Sequence, residues 1–221
     1  MNLPDNLLPL QWYWYGHALL AILLIKILAS TPWLRLKSSD FVNLWLGACV
    51  AMMAIWSIKA GVKPGLNFHL LGATAFTLMF GPQLAVLGLL LVLFGVTLAG
   101  LIGWEAFSLN ALLMIVLPVL VSHGIYRTVD RKLPNHFFVY IFLNAFVGAG
   151  VAITATGLAS TWLLALADAY KLKYLYDQYL PYYILMAWSE AMTTGMIMTL
   201  MVVFRPQWVS TFDDSRYIHH K

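Results

Sequence analysis

Apolar residues run along this chain in long blocks, not in the short stripes of a soluble fold. The blocks cover residues 12–30, 41–58, 66–80, 82–102, 107–126, 137–159 and 180–204. Most approach the roughly 20 residues that a helix needs to cross a bilayer core. Turn and breaker residues separate them. Thr31-Pro32 closes the first block, Lys63-Pro64-Gly65 precedes the third, and Gly81-Pro82 breaks the third from the fourth. A basic stretch, Arg127 to Pro134, follows the fifth. Residues 161–179 are mixed, with Asp168, Lys171, Lys173 and Asp177 among tyrosines, and read as an interfacial amphipathic segment. The pattern predicts an all-α, polytopic transmembrane bundle of about seven spans. It forms one domain over residues 1–221, with residues 205–221 as a cytoplasmic tail.

Composition sharpens this. The chain has 62% hydrophobic and only 10% charged residues, and its mean hydropathy is +0.80. A soluble domain carries about 25% charged residues. The net charge of +4 does not point to nucleic acid, because no basic run exceeds Arg131-Lys132. The single cysteine, Cys49, lies in an apolar run and excludes a disulfide framework. Residues 1–16 hold no Lys or Arg, unlike the basic start of a secretory signal.

Charge also predicts orientation, since cytoplasmic loops gather Lys and Arg. With the N-terminus outside and seven spans, the inner segments hold Arg35, Lys37, Arg127, Arg131, Lys132, Arg205, Arg216 and Lys221. The outer ones hold Lys59, Lys63, Lys171 and Lys173, while Lys26 snorkels from the first span. Trp12 to Tyr15 then join an outer aromatic belt. Residues 1–11 contain Pro4, Asp5 and Pro9 but no basic residue. Two readings stand: a segment folded back into the bundle as part of a site, or a disordered leader. In the first, Asp5 receives backbone N–H bonds.

Titratable groups inside a bilayer are costly and often functional. Four fall within the blocks: His17, His69, His123 and Glu190. An imidazole at His69 or His17 could ligate a transition metal, or could bond a neighbouring helix. His123 suits an interfacial histidine. Glu190 could hold charge along a substrate path or bond a neighbour. Met186, Met192, Met196, Met198 and Met201 crowd the last block. Their thioethers suit Cu(I), and they serve equally as apolar filler. Gly148-x-x-x-Ala152 and Ala48-x-x-Ala51-x-x-Ala54 allow close helix approach, within the chain or with a partner. His219-His220 forms a terminal polar tail. No His-Glu-x-x-His, Gly-x-Ser-x-Gly or P-loop pattern occurs, so the chain is not expected to be an enzyme and cannot itself hydrolyse ATP by a Walker mechanism.

The opening Met1-Asn2-Leu3-Pro4-Asp5-Asn6-Leu7-Leu8 resembles the Met-His-Ile-Pro-Asp-Gly-Phe-Leu start of the CbiM/NikM family. These are substrate-capture subunits of energy-coupling-factor cobalt and nickel transporters. His69-Leu70-Leu71-Gly72-Ala73 is similar to the family's His-Leu-Leu-Gly-Gly, and Gly81-Pro82 falls at its Gly-Pro. Leu109-Asn110-Ala111 with Pro118 and Tyr126-Arg127 resembles its asparagine helix and basic loop. Ser189-Glu190-Ala191 resembles its Gly-Glu helix. The order holds over nearly the whole chain.

The resemblance implies an N-terminus tucked into the bundle and a metal substrate, Ni(II) or Co(II), in a nearly planar site. Its ligands would be the Met1 amine, the backbone amide of residue 2 and His69. It implies a membrane coupling subunit and cytoplasmic ATPases as partners, and a multi-pass place in the cell's inner membrane. The departure is Asn2, which stands where the family has a histidine and removes one imidazole. The site then takes another metal or complex, recruits His17, or has lost metal. In the last case the chain is a membrane assembly or accessory protein.

Overall fold

A computed structural model describes residues 2–58 and 60–219; Met1, Lys59, His220 and Lys221 lie outside the described residues. The first block forms α1 (Leu10–Ser30). A short 3₁₀ turn at Trp33–Lys37 leads to α2 (Ser39–Ser57). Ser38 caps α2 by accepting the Phe41 N–H, and Asp40 adds a negative charge to the first turn. Two strands, β1 (Ala60–Lys63) and β2 (Leu66–Phe68), pair as an antiparallel hairpin. Then come α3 (Ala73–Phe80) and α4 (Pro82–Leu98). Two long helices follow, α5 (Phe107–Lys132) and α6 (Phe137–Leu166). Each contains a π-helical stretch, at Leu112–Val116 and Tyr140–Val147. The chain ends with the short α7 (Leu172–Gln178) and α8 (Leu180–Phe204).

Among the described residues five stretches are long and apolar enough to cross a membrane, and α4 is a shorter apolar helix. The third block departs from the expected helix. Residues 66–68 are strand, 69–72 are loop, and only 73–80 are helical. This crossing works because it is surrounded by protein: α3 packs on α4, α5 and α6, and every residue of α3 except Ala75 is buried. Irregular backbone at membrane depth is tolerated only in such a setting. The 161–179 stretch also differs from one amphipathic segment. Residues through Leu166 complete α6, and α7 begins only at Leu172.

Two glycines make the break around α3. Gly72 has φ +65° and Gly81 has φ +82°, values a side chain resists. A Cβ at Gly72 would also meet the Met52 thioether. Elsewhere small residues let helices close up. Any side chain at Gly157 on α6 would strike the Tyr183 ring of α8, and one at Gly195 on α8 would strike Phe146. The outward faces are apolar and exposed, as at Ile22, Ile25, Val50, Ile184, Leu185 and Phe204, which suits lipid.

Polar contacts tie the connections together at each end of the bundle. Tyr170 donates to the Pro64 carbonyl, and the Lys63 ammonium lies 4.3 Å from the Tyr174 ring centroid, so the hairpin and the α6–α7 connection meet. At the other end Arg35 donates to the Phe80 carbonyl, and Arg216 pairs with Asp130 at 2.7 Å. Residues 205–219 pack back on the bundle. Ser210 and Thr211 donate backbone N–H bonds to Met79 and Leu78, and Val209, Phe212 and Tyr217 are buried.

Candidate metal centre

The N-terminal segment is folded into the bundle. Asn2, Leu3 and Leu8 are buried, Leu3 to 1% exposure. The segment has no regular structure, so its backbone groups need partners from elsewhere. Asn110, fully buried on α5, supplies a matched pair. Its Oδ1 accepts the Leu3 N–H at 2.8 Å, and its Nδ2 donates to the Leu3 carbonyl at 3.0 Å. The Tyr13 hydroxyl accepts from Leu7 N and Leu8 N, both at 3.1 Å, and donates to the Pro4 carbonyl. Asp5 accepts the Ala106 N–H, just before α5 begins. The carboxylate therefore also sits at a helix N-terminus, where the dipole favours it. The expected backbone bond to Asp5 is present.

The segment delivers Asn2 to His69. Asn2 Oδ1 lies 2.9 Å from His69 Nε2, and His69 Nδ1 lies 3.0 Å from the Leu70 carbonyl, so both ring nitrogens face oxygens. A carbonyl only accepts, so Nδ1 carries a proton; a neutral ring then leaves Nε2 as an acceptor, which calls for the Asn2 amide turned end for end. Amide oxygen and nitrogen exchange places without altering shape. The arrangement is satisfied when the Asn2 NH₂ group donates to Nε2. His69 is 4% exposed and its ring lies against Trp56, with centroids 5.2 Å apart. The Asn2 backbone N–H donates to Asn67 Oδ1 at 2.8 Å. His69 Nε2 and Asn67 Oδ1 thus both meet Asn2, one at its side chain and one at its backbone N–H. A Nε2 lone pair set by an Nδ1–H···O=C bond is the orientation a metal-ligating histidine adopts.

The loop carrying His69 is held from the far side. Glu190 on α8 is buried to 3% exposure. Its two oxygens accept the Leu71 N–H at 2.8 Å and the Gly72 N–H at 2.7 Å. Trp56 Nε1 donates to the Leu71 carbonyl at 3.3 Å. Glu190 also faces a cavity of about 670 Å³ between α2, the 69–72 loop with α3, and α8. Its lining includes Ala48 and Ala51 of the small-residue pattern, with Gly47 beside them, so that part of the pattern faces open space rather than a packed helix.

The other candidates lie elsewhere. Met1 is outside the described residues. His17, half-buried on α1, bonds Ser108 Oγ through Nδ1 at 2.7 Å and packs on Trp14; neither contact is with Asn2 or His69. Met192 and Met196 point outward, at 37% and 62% exposure, so the last-span methionines do not converge on a copper-type site. His123 sits half-buried near the inner end of α5, with Nδ1 buried and unbonded. Among the described residues no three His, Cys, Asp or Glu side chains gather. Asn67 and Trp56 were not singled out from the sequence. The alternation Leu66-Asn67-Phe68-His69 after a Pro-Gly turn is a strand signal that places Asn67 and His69 on one side.

A bundle of long apolar helices with a buried N-terminal segment that meets a histidine is a multi-pass membrane protein. The comparisons agree. Residues 2–208 match the model of the cobalt uptake substrate-specific transmembrane region, CbiM, and the chain belongs to this family. The crystal structure of a truncated transition metal transporter is similar, with TM-score 0.74 and 23% identity over 92% of this chain and 99% of that one. A second crystal structure of a transition metal transporter gives 0.73 and 24% over 91% and 92%. At such identity these likenesses speak to the fold. None of the curated proteins compared with the chain matches it.

Proposed function

We propose that this chain is the substrate-capture subunit of an energy-coupling-factor-type transporter for a transition metal ion of the nickel or cobalt kind. Capture occurs at the Met1 amine, the Asn2 backbone amide and His69 Nε2. The observation that supports this best is the meeting of Asn2 and His69: the leader is folded inward to bring the second residue within 2.9 Å of His69 Nε2. Amide and imidazole nitrogens suit tetragonal Ni(II) and related ions. Loading asks the Asn2 side chain to leave Nε2 and the Asn2 N–H to leave Asn67. His17 remains bonded to Ser108 and stays outside this ligand set.

The protein works in the inner membrane with a membrane coupling subunit and cytoplasmic ATPases, as membership of the family implies. The accessory-protein reading has one observation in its favour, the Asn2 amide capping the nitrogen a metal would need. Calorimetric titration with Ni(II) and Co(II) tests both. Wild type binds, while His69→Ala and an extension before Met1 abolish binding. Asn2→His strengthens it by restoring a fourth nitrogen. Absence of binding in both wild type and Asn2→His favours the accessory reading.

A further inference from the structure

Loop 69–72 carries the histidine yet belongs to no helix or strand. Its position depends on what its backbone groups bond. Leu70 O is taken by His69 itself, and Leu71 O by Trp56. The Leu71 and Gly72 amides point the other way, and both end on one residue, Glu190, whose place in sequence is 118 residues beyond Gly72. A carboxylate is acceptor-only, and its two oxygens match two adjacent donors. In a water-poor interior such bonds are stronger than in water, and the loss of one is correspondingly expensive. Glu190 is thus the pin through which α8 sets the height of the loop. Gly72 fits the same picture. Its left-handed backbone turns its N–H toward Glu190, and Met52 leaves no room for a side chain there.

We infer that Glu190 is a positioning residue of the metal site, fixing His69 Nε2 through the Leu71 and Gly72 amides without touching the metal. The inference rests on His69 as the ligand, and it explains a buried carboxylate that the ligand set does not use. The fixed loop presents Nε2 in one place, so the ion does not have to order a mobile segment on binding. Glu190→Gln is the sharpest probe. It keeps the shape and one acceptor oxygen, but sets an NH₂ group against one of the two backbone donors. Glu190→Asp keeps the charge on a shorter stem and reaches only one donor.

Hydrogen exchange on metal-free protein reads the loop directly. In Glu190→Gln, amide exchange in residues 69–72 rises at least about tenfold, the loss of one charge-assisted hydrogen bond, while α4 and α6 exchange as in wild type. Ni(II) and Co(II) affinity falls by about the same factor, and the d–d absorption of the loaded protein shifts as the imidazole tilts. Glu190→Asp shows the same changes at reduced size. Unaltered exchange in 69–72 overturns the inference. So does an affinity loss that merely follows a lower melting temperature, and so does failure of both variants to fold, since each outcome makes Glu190 structural only. If wild type binds neither metal, the ligand assignment falls with it, and the exchange measurement still decides whether Glu190 holds the loop.

Discussion

Replacing Asn110 with leucine removes two hydrogen bonds in one step at nearly constant volume. Leu3 then has an N–H and a carbonyl left in an apolar interior, where Leu3 itself is 1% exposed and Asn110 fully buried. An orphaned buried polar group costs about 1–3 kcal/mol, so docking of the N-terminal segment weakens by about 2–6 kcal/mol. At about 1.4 kcal/mol per decade, even the lower figure shifts the docked-to-undocked ratio by about 30-fold. Met1 and Asn2 travel with the segment, so apparent metal affinity falls with the docked fraction. The long apolar helices keep their contacts, and the melting temperature changes less than the affinity. The assay pairs hydrogen exchange over residues 2–8 with a Ni(II) titration. Exchange that stays at the wild-type rate in folded Asn110→Leu would refute the claim that this asparagine clamps the leader.

Further outcomes follow from the same structure. Single cysteines at Lys132 and Lys173 label from opposite sides of the membrane, with Lys132 inside; Cys49 is buried and adds little background. Labelling of both from one side contradicts the orientation. Metal binding displaces the Asn2 amide proton, so the bound state holds fewer protons and affinity rises with pH, by about tenfold per pH unit for each proton released. A flat profile between mildly acidic and neutral pH excludes amide ligation. Gly157→Leu drives a side chain into the buried Tyr183 ring and costs at least about 1–3 kcal/mol. Thermal melting in detergent checks it, and an unchanged midpoint would show that α6 and α8 are not closely packed there.

Much of this fold was legible in the hydrophobic pattern because spanning helices are long and nearly charge-free. Outside the third block, each apolar block contains a helix where one was expected, and Gly81-Pro82 marks a real break. The third block misled because hydropathy counts side chains, whereas the loop at 69–72 is sustained by backbone bonds to Glu190 and Trp56 from distant segments. The packing of residues 205–219 was not legible for a similar reason: Val209, Phe212 and Tyr217 are spaced apart in polar sequence, and only the fold gathers them. His69 and the leader were visible as a histidine and a pair of prolines in unusual places. Their meeting was visible only through family resemblance, since no local rule joins residues 67 positions apart. Asn110 was noticed as part of a motif, and its task of pairing with Leu3 came from the geometry alone.

X-ray absorption on the Ni(II)-loaded protein with an unblocked N-terminus addresses the central claim most directly. The account predicts nitrogen donors that include one imidazole, and loss of the imidazole scattering in whatever metal His69→Ala retains. A first shell of oxygen donors alone, or an imidazole signal that survives His69→Ala, would contradict it.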